Sequence, residues 1–88
     1  MKKSIITDRE DCYLCNKRGT DTHHCLYGNK RAAADRFGLT VRLCRECHIK
    51  VHNGHESGEY LKRLAQQVFE KQIGTREEFI KELGRNYL

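Results

Sequence analysis

The stretch CRECHIKVH, at residues 44–52, decides the fold of this protein. Its histidines, His48 and His52, are four residues apart, and on a helix this spacing places both side chains on one face, one turn apart. A second stretch, HHCLYGN, begins with the adjacent pair His23 and His24. Two helical imidazoles joined by one from a strand form a three-ligand metal site with open coordination positions, which is the catalytic arrangement rather than the structural one.

The cysteines predict a second, structural metal site. Four of the five cysteines form two C-x-x-C pairs, Cys12 with Cys15 and Cys44 with Cys47. Four thiolates from two such turns make a closed tetrahedral zinc site. A thioredoxin-like redox pair is the alternative, and it is disfavoured because there are two pairs and no βαβ pattern around either. Cys25, which lies in an apolar stretch, is predicted to be a small buried hydrophobic residue.

The length of the chain favours one domain that needs a metal to stabilise it. A protein of 88 residues buries only a thin core. Residues 1–11 are predicted to be a loosely held lead-in, with too short an apolar run for a secretory signal. No later segment is apolar and long enough to span a bilayer. We therefore expect a cytoplasmic protein with no membrane partner, in a compartment where C-x-x-C pairs bind metal.

The net charge of +5 favours a polyanionic partner. Residues 1–58 hold 11 Lys and Arg against 7 Asp and Glu, so most of the surplus lies with the Cys/His half of the chain. A basic surface beside a metal site predicts nucleic-acid binding, with DNA as the first candidate, although a merely soluble basic surface is the alternative. The basic residues around the motif that could contact DNA phosphates are Lys30, Arg31, Arg42 and Arg45.

Hydrophobic periodicity and turn residues predict an α+β fold. The predicted strands cover residues 21–27 and 39–43. The predicted helices cover residues 30–37, 44–53 and 60–73, and a last helix runs from the capping box of Thr75 and Glu78 to Gly84. Residues 55–58 are expected to form a linker, and Gly19 is expected to relieve the backbone of the first cysteine turn.

These motifs, taken in order, resemble the HNH endonucleases, the ββα-metal nucleases. The resemblance rests on the first C-x-x-C pair, the run DTHH at residues 21–24, and the run LCxxCHxxxH that begins at Leu43. It covers residues 12–53, a little under half of the chain. The run YGNKR at residues 27–31 is similar to the small phage and prophage members of that family.

The resemblance implies a small ββα-metal core with four-cysteine zinc knuckles at residues 12–53, followed by two C-terminal helices at 59–84, in one nuclease domain spanning residues 1–88. It assigns metal binding to His23, His48 and His52, with Mg²⁺, Mn²⁺, Ni²⁺ or Zn²⁺ as the catalytic ion. It assigns the role of general base to His24. It also implies a phage or prophage protein that acts in the cytoplasm of a bacterial host.

Many HNH members carry the asparagine of the motif a few residues before a cysteine pair, and this sequence has no asparagine there. Leu39 occupies that position, and Asn29 is the only asparagine between the two halves of the motif. Asn29 could serve the same end in catalysis, by orienting the loop or the base. The equally favoured alternative is that Asn29 caps the short helix that follows it.

The chemistry of phosphodiester hydrolysis suits these histidines. The reaction needs an activated water molecule and neutralisation of charge on the phosphoryl group. Adjacent strand residues point to opposite faces, so His23 and His24 should not bind one ion together. One would bind metal while the other, an acceptor near neutral pH, takes the proton from water.

The sequence therefore predicts a metal-dependent endonuclease that nicks or cleaves duplex DNA. A homodimer or a phage protein partner would supply cleavage of both strands. The alternative is a non-enzymatic, zinc-stabilised DNA- or protein-binding module, in which the histidines hold a second structural zinc. A toxin-like nuclease fragment that needs a larger host protein is a third hypothesis. His24 discriminates between nuclease and binder, because a binder needs no free imidazole beside the ligands.

Overall fold

A computed structural model of the chain describes residues 3–54 and 56–88. Two short strands and four α-helices make up its regular structure, with one 3₁₀ turn at Gly28–Lys30. The elements, in chain order, are β1 (Asp21–His24), α1 (Arg31–Phe37), β2 (Thr40–Leu43), α2 (Arg45–His52), α3 (Glu56–Gln72) and α4 (Arg76–Leu83). The fold is therefore a small α+β arrangement, as the sequence predicts.

The two strands form an antiparallel sheet that supports the rest of the molecule. His23 pairs with Val41 and His24 with Thr40, and the pairing continues to Asp21 opposite Leu43. Helix α1 lies in the connection between the strands and packs on β1, while α2 packs across both strands. Helix α3 packs on α2, and α4 contacts both α3 and α1. The sheet thus has α1 and α2 packed on it, and α3 and α4 pack on these helices.

The hydrophobic core joins the C-terminal helices to the sheet. Leu39 and Leu43 of the sheet region, Leu61 and Phe69 of α3, and Phe79 of α4 are at most 1% exposed. The ring of Phe69 meets that of Phe79 edge-on, with centroids 5.3 Å apart. Edge-to-face aromatic pairs add to the free energy of apolar burial. Helices α3 and α4 are consequently part of one core with the N-terminal half of the chain, which carries the cysteines and histidines.

The N-terminal segment is docked rather than loosely held as the sequence suggested. The backbone N–H of Ile5 donates to the carbonyl of Gly38 over 2.9 Å, and the Ser4 hydroxyl donates to the Thr40 carbonyl over 2.5 Å. Gly38 ends α1 in the left-handed conformation, and a Cβ there would lie 2.5 Å from the carbonyl oxygen of Lys3. Glycine is therefore required at this contact.

Several element boundaries differ from the predicted ones. β1 ends at His24, three residues before the predicted end. Asn29 is not a helix cap: it lies within the 3₁₀ turn, and Lys30 occupies the N-cap of α1 without a side-chain hydrogen bond. The predicted linker at 55–58 is wrong from Glu56 onward, because α3 begins there, and His55 lies outside the described residues.

The predicted capping box of α4 is confirmed. The backbone N–H of Glu78 donates to the Thr75 hydroxyl over 3.2 Å, and the Glu78 carboxylate accepts from the Thr75 N–H over 3.1 Å. Gly84 ends the helix with φ of 95°. Among the helices within residues 3–54 and 56–88, none is both long enough and apolar enough to cross a membrane.

Candidate metal centres and active site

Two cysteine pairs, distant in sequence, meet beside the start of α2. The sulfur atoms of Cys12, Cys15, Cys44 and Cys47 all lie within 4.8 Å of one another, and the Cys15 and Cys44 sulfurs are 3.6 Å apart. Zn–S bonds of about 2.3 Å in a tetrahedron separate the sulfurs by about 3.8 Å. The cluster could therefore hold a structural metal such as zinc. Cys44 is also the N-cap residue of α2, so the cluster lies at the first turn of this helix.

The turn that carries Cys12 and Cys15 uses Asn16 and Gly19 in different ways. Asn16, with φ of 67°, takes the left-handed conformation that the tight turn needs. Gly19 is needed for close approach instead, since a Cβ there would lie 2.5 Å from the Glu10 carbonyl oxygen. The expectation that Gly19 relieves the turn backbone is thus corrected: asparagine supplies the positive φ.

Ionisation of the thiols differs across the cluster. Burial opposes ionisation of Cys12, but N–H groups of Cys44, Cys15 and Leu14 outweigh it and lower the pKa of Cys12 to about 6. Burial and the neighbouring thiols raise the pKa of Cys47 to about 12. A bound cation would hold all four as thiolates, which is how zinc binding releases protons. The fifth cysteine, at position 25, is fully buried outside this cluster, as predicted.

Three histidines from two elements form a second cluster. The ring nitrogens that His23, His48 and His52 offer lie within 4.8 Å of one another. The Nε2 atoms of His48 and His52 are 3.1 Å apart, and the ring centroid of His23 is 5.2 Å from that of His48. The i, i+4 spacing on α2 and the position of His23 on β1 therefore bring together the three predicted ligands.

The environment of His23 favours a cation. This side chain is 1% exposed, and neither of its ring nitrogens has a hydrogen-bond partner within the described part of the chain. Burial, followed by repulsion from His48 and His52, lowers the pKa of His23 to about 3. The imidazole is therefore neutral near pH 7, and it can offer a lone pair from a nitrogen that lies within 4.8 Å of those of His48 and His52. Neutral imidazoles are ligands for Zn²⁺, Ni²⁺ and related divalent ions, so the donor set fits such an ion.

Asp21 orients His48, one of the three clustered histidines. This role was not predicted from the sequence. Its Oδ2 atom is 2.9 Å from Nδ1 of His48, so Nδ1–H donates to the carboxylate and Nε2 faces His52. This hydrogen bond lowers the pKa of the Asp21 carboxyl. Asp21 and His23 are two residues apart on β1, so their side chains lie on the same face of the strand. This alternation could have predicted that Asp21 lies beside the histidine cluster.

An aromatic ring closes one side of the histidine cluster. The ring of Tyr27 lies 4.7 Å from that of His52 and 5.8 Å from that of His23, measured between centroids. The ammonium group of Lys62, on α3, lies 5.0 Å from the centre of the Tyr27 ring. The charge of Lys62 also contributes to lowering the pKa of His23. A cation from the C-terminal helices thus lies close to the cluster.

His24, the next residue of β1, is not part of the cluster and makes different contacts, as strand alternation predicts. Its Nε2 atom is 3.0 Å from Oδ1 of Asp35, and Nε of Arg31 is 3.4 Å from its Nδ1 atom. The side chain is only 7% exposed and lies at the edge of a surface cleft of about 520 Å³. The cleft is lined by His24, Gly28, Asn29, Arg31, Ala32 and Asp35.

The contact with Asp35 was not found by sequence reasoning. Asp35 is eleven residues from His24 and lies on a different element, so no local spacing relates the two. Asn29 is exposed and lines the same cleft as His24. Its position in this cleft does not define a role for it. A catalytic role for Asn29 therefore stays a prediction.

The four basic residues predicted to bind DNA lie in different surroundings. Arg42 is already engaged, because its guanidinium donates to the Gly19 carbonyl over 2.9 Å and to the Thr22 hydroxyl over 3.3 Å. These hydrogen bonds of Arg42 connect the end of the cysteine turn to β1. Binding of DNA phosphate by Arg42 stays a prediction. The guanidinium would have to give up these two acceptors or share its N–H groups between them and the phosphate.

The other three basic side chains lie closer to solvent. Arg31 is exposed at the cleft, and Arg45 is 75% exposed with its Nε atom 3.4 Å from Oδ2 of Asp21. Lys30 is half-buried, with its aliphatic stem next to Gly84, where a Cβ would lie 2.7 Å from Cε of the lysine. Arg31 and Arg45 therefore have exposed side chains near the histidines, and each makes one contact, Arg31 with Nδ1 of His24 and Arg45 with Asp21.

Comparison with protein-family models, with curated proteins and with solved structures finds no match to this chain. The described part of the chain has a cysteine cluster at the start of α2, a histidine cluster formed by β1 and α2, and a separate histidine that is paired with a carboxylate beside a cleft.

Proposed function

We propose that this protein is a metal-dependent endonuclease of the HNH type that hydrolyses phosphodiester bonds in DNA. The observation that supports this proposal most strongly is that two adjacent histidines have different surroundings. His23 joins His48 and His52 in one cluster, while His24, the next residue of β1, lies outside that cluster at the edge of a cleft. A purely structural metal site has no need for the fourth imidazole.

The protein would hold its catalytic ion with His23, His48 and His52, and its structural zinc with the four clustered cysteines. A divalent ion held by these three imidazoles would supply Lewis-acid stabilisation of the charge that develops in the reaction. The hydrogen bond from His48 to Asp21 keeps the His48 ring oriented with Nε2 toward His52.

The remaining chemistry is performed by side chains at the cleft. His24 takes one proton of a water molecule at Nδ1, and the water oxygen bonds to phosphorus as the bond from phosphorus to the 3′ oxygen breaks. The departing oxygen takes its proton from solvent. Arg31 must leave Nδ1 for water to enter, and its contact there is weak at 3.4 Å. Its guanidinium then binds a phosphate oxygen.

The charge of the chain supports a nucleic-acid substrate. A net charge of +5 attracts a polyanion, and Arg31 and Arg45 are exposed near the histidines. These contacts would position the phosphate backbone without selecting a base sequence. We therefore expect nicking with little sequence preference, performed on one strand at a time.

Plasmid nicking by purified protein tests the proposal. Supercoiled DNA is incubated with protein and Mg²⁺, Mn²⁺, Ni²⁺ or Zn²⁺, and we expect open-circular product with at least one ion. The His24→Ala variant should keep its metal content and lose about 100- to 10,000-fold in rate. Gln67→Ala, at an exposed position on α3, is the matched control and should cleave like the wild type.

Two results would contradict the nuclease proposal. One is supercoiled DNA left intact in every metal by protein that binds both ions. The other is equal cleavage by wild type and His24→Ala. Two tightly bound zinc ions per chain, together with the absence of cleavage, would favour the non-enzymatic binding module instead.

A further inference from the structure

The pair formed by His24 and Asp35 joins β1 to α1, as does the weaker contact of Arg31 with the same imidazole. His24 ends β1, and Asp35 lies near the C-terminal end of α1, with Oδ1 3.0 Å from Nε2 of the imidazole. The His24 side chain is 7% exposed and that of Asp35 is 37% exposed. The carboxylate is thus open to solvent on one side while the imidazole is enclosed.

The hydrogen bonds of His24 define its tautomer. The Asp35 carboxylate can only accept, so Nε2 of the neutral imidazole carries the proton and donates it to Asp35 over 3.0 Å. Nδ1 is then the unprotonated nitrogen, which agrees with the weaker 3.4 Å contact that it accepts from the Arg31 Nε–H. This tautomer directs the Nδ1 lone pair toward the side from which Arg31, a cleft residue, approaches.

The position of Asp35 is unfavourable for the helix itself. Helix α1 runs from Arg31 to Phe37, and a negative charge in the last turn is repelled by the partial negative charge of the carbonyl end. Helix stability alone would favour a neutral or basic residue there. The contact with His24 offers a reason for an acid at this position that is separate from the folding of α1.

We propose that Asp35 is a positioning residue that fixes His24 in the tautomer with Nε2 protonated and Nδ1 free. The inference rests on the proposed function, in which Nδ1 accepts a proton from water. A carboxylate on Nε2–H sets the ring orientation and stabilises the positive charge that the ring gains during the reaction. Asp35 acts through His24 and does not itself touch the substrate.

Histidine NMR tests the tautomer directly, without any assay of activity. The protein is labelled at its histidine ring nitrogens, and the His24 signals are assigned by their loss in His24→Gln. Protonated and unprotonated ring nitrogens have well-separated shifts. We expect the Nε2–H tautomer in the wild type and a mixture of tautomers in Asp35→Asn, because the amide can either accept from Nε2 or donate to it. Asp8→Asn, an exposed acid outside the cleft, should match the wild type.

Cleavage kinetics and thermal unfolding complete the test. We expect Asp35→Asn to lower kcat about 10- to 100-fold with KM nearly unchanged, and Asp35→Glu to recover part of the loss. The melting temperature of Asp35→Asn should not fall, which separates positioning from folding.

The two proposals fail in different ways. If the wild type cleaves DNA while Asp35→Asn keeps both its kcat and the wild-type tautomer, the inference about Asp35 is overturned and the nuclease proposal stands. If no protein cleaves DNA in any metal, the nuclease proposal fails, and the NMR spectra still decide whether Asp35 sets the tautomer. A single Nε2–H tautomer that persists in Asp35→Asn overturns the positioning role.

Discussion

Asp21 connects the strand that carries His23 to the helix that carries the other two clustered histidines. Its carboxylate accepts from Nδ1 of His48 over 2.9 Å and lies 3.4 Å from Nε of Arg45. Removing an acceptor of this kind leaves the ligand free to rotate and to change tautomer. We therefore expect the carboxylate to affect the metal affinity of the histidine cluster although it is not one of the clustered donors.

We predict that Asp21→Asn weakens the binding of a divalent ion at the histidine cluster by about 10- to 100-fold. Competition with a fluorescent chelator, using protein with zinc already in the cysteine cluster, would measure the change. The zinc content should stay at one per chain, and Asp8→Asn should bind the second ion as the wild type does. Unchanged affinity in Asp21→Asn would show that His48 needs no support from this residue.

The burial of His23 makes the stability of the protein depend on pH. Its pKa falls from 6.5 to about 3 on folding, so between these values the unfolded chain binds a proton that the folded protein does not. The contribution is complete above pH 6.5 and is lost as the pH falls through this window. Without an ion at the histidine cluster, acid should therefore favour unfolding.

Urea unfolding of protein that carries only zinc would measure this effect. We predict that the unfolding free energy of the wild type falls on acidification by up to about 1.4 kcal/mol per pH unit more than that of His23→Gln, which has no imidazole at this position. Acid release of zinc affects both proteins alike and cancels in the difference. Parallel curves for the two proteins would contradict the assigned pKa.

Among the elements, α2 is the one that the sequence predicted best. The spacing of His48 and His52 is a local property of a helix, and Cys44 at its start defines where the helix begins. The capping box at Thr75 is local in the same sense. Elements whose boundaries follow from neighbours three or four residues away could be predicted from the sequence.

Elements and contacts that depend on distant parts of the chain could not be predicted in this way. Asp35 reaches His24 only because α1 packs on β1, and the backbone of Ile5 pairs with Gly38 across 33 positions of sequence. The start of α3 was placed too late because Glu56 and Gly58 carry no apolar periodicity. Gly58 is buried there, with the space for its missing side chain taken up by Val51.

Across the whole molecule, the cysteine cluster joins the N-terminal turn to the helix that carries the histidines. The radius of gyration of 12.1 Å is what a compact chain of this length has, about 12 Å. The core that produces this compactness is small, so metal binding is expected to supply much of the stability. Structural zinc binding contributes about 10–16 kcal/mol in small zinc domains, as much as the whole stability of many proteins.

We predict that Cys47→Ser abolishes cooperative unfolding and removes most of the helical circular dichroism. Cys25→Ala is the matched control: Cys25 is fully buried but lies outside the cluster, so this variant should keep one zinc and unfold cooperatively. Zinc content by mass spectrometry and thermal melts followed by circular dichroism are the measurements. A Cys47→Ser protein with an intact fold that resists chelators would show that zinc does not hold this domain together.

Consecutive residues of α2, Cys47 and His48, belong to different clusters. If both clusters bind metal, any tilt or register change of this helix alters both coordination shells at once, and the two binding equilibria become linked. Such linkage is reciprocal: if zinc at the thiolates strengthens the binding of an ion at the imidazoles, that ion must strengthen the binding of zinc by the same free energy. Protein loaded at both clusters would then lose less zinc to competing chelators at equilibrium.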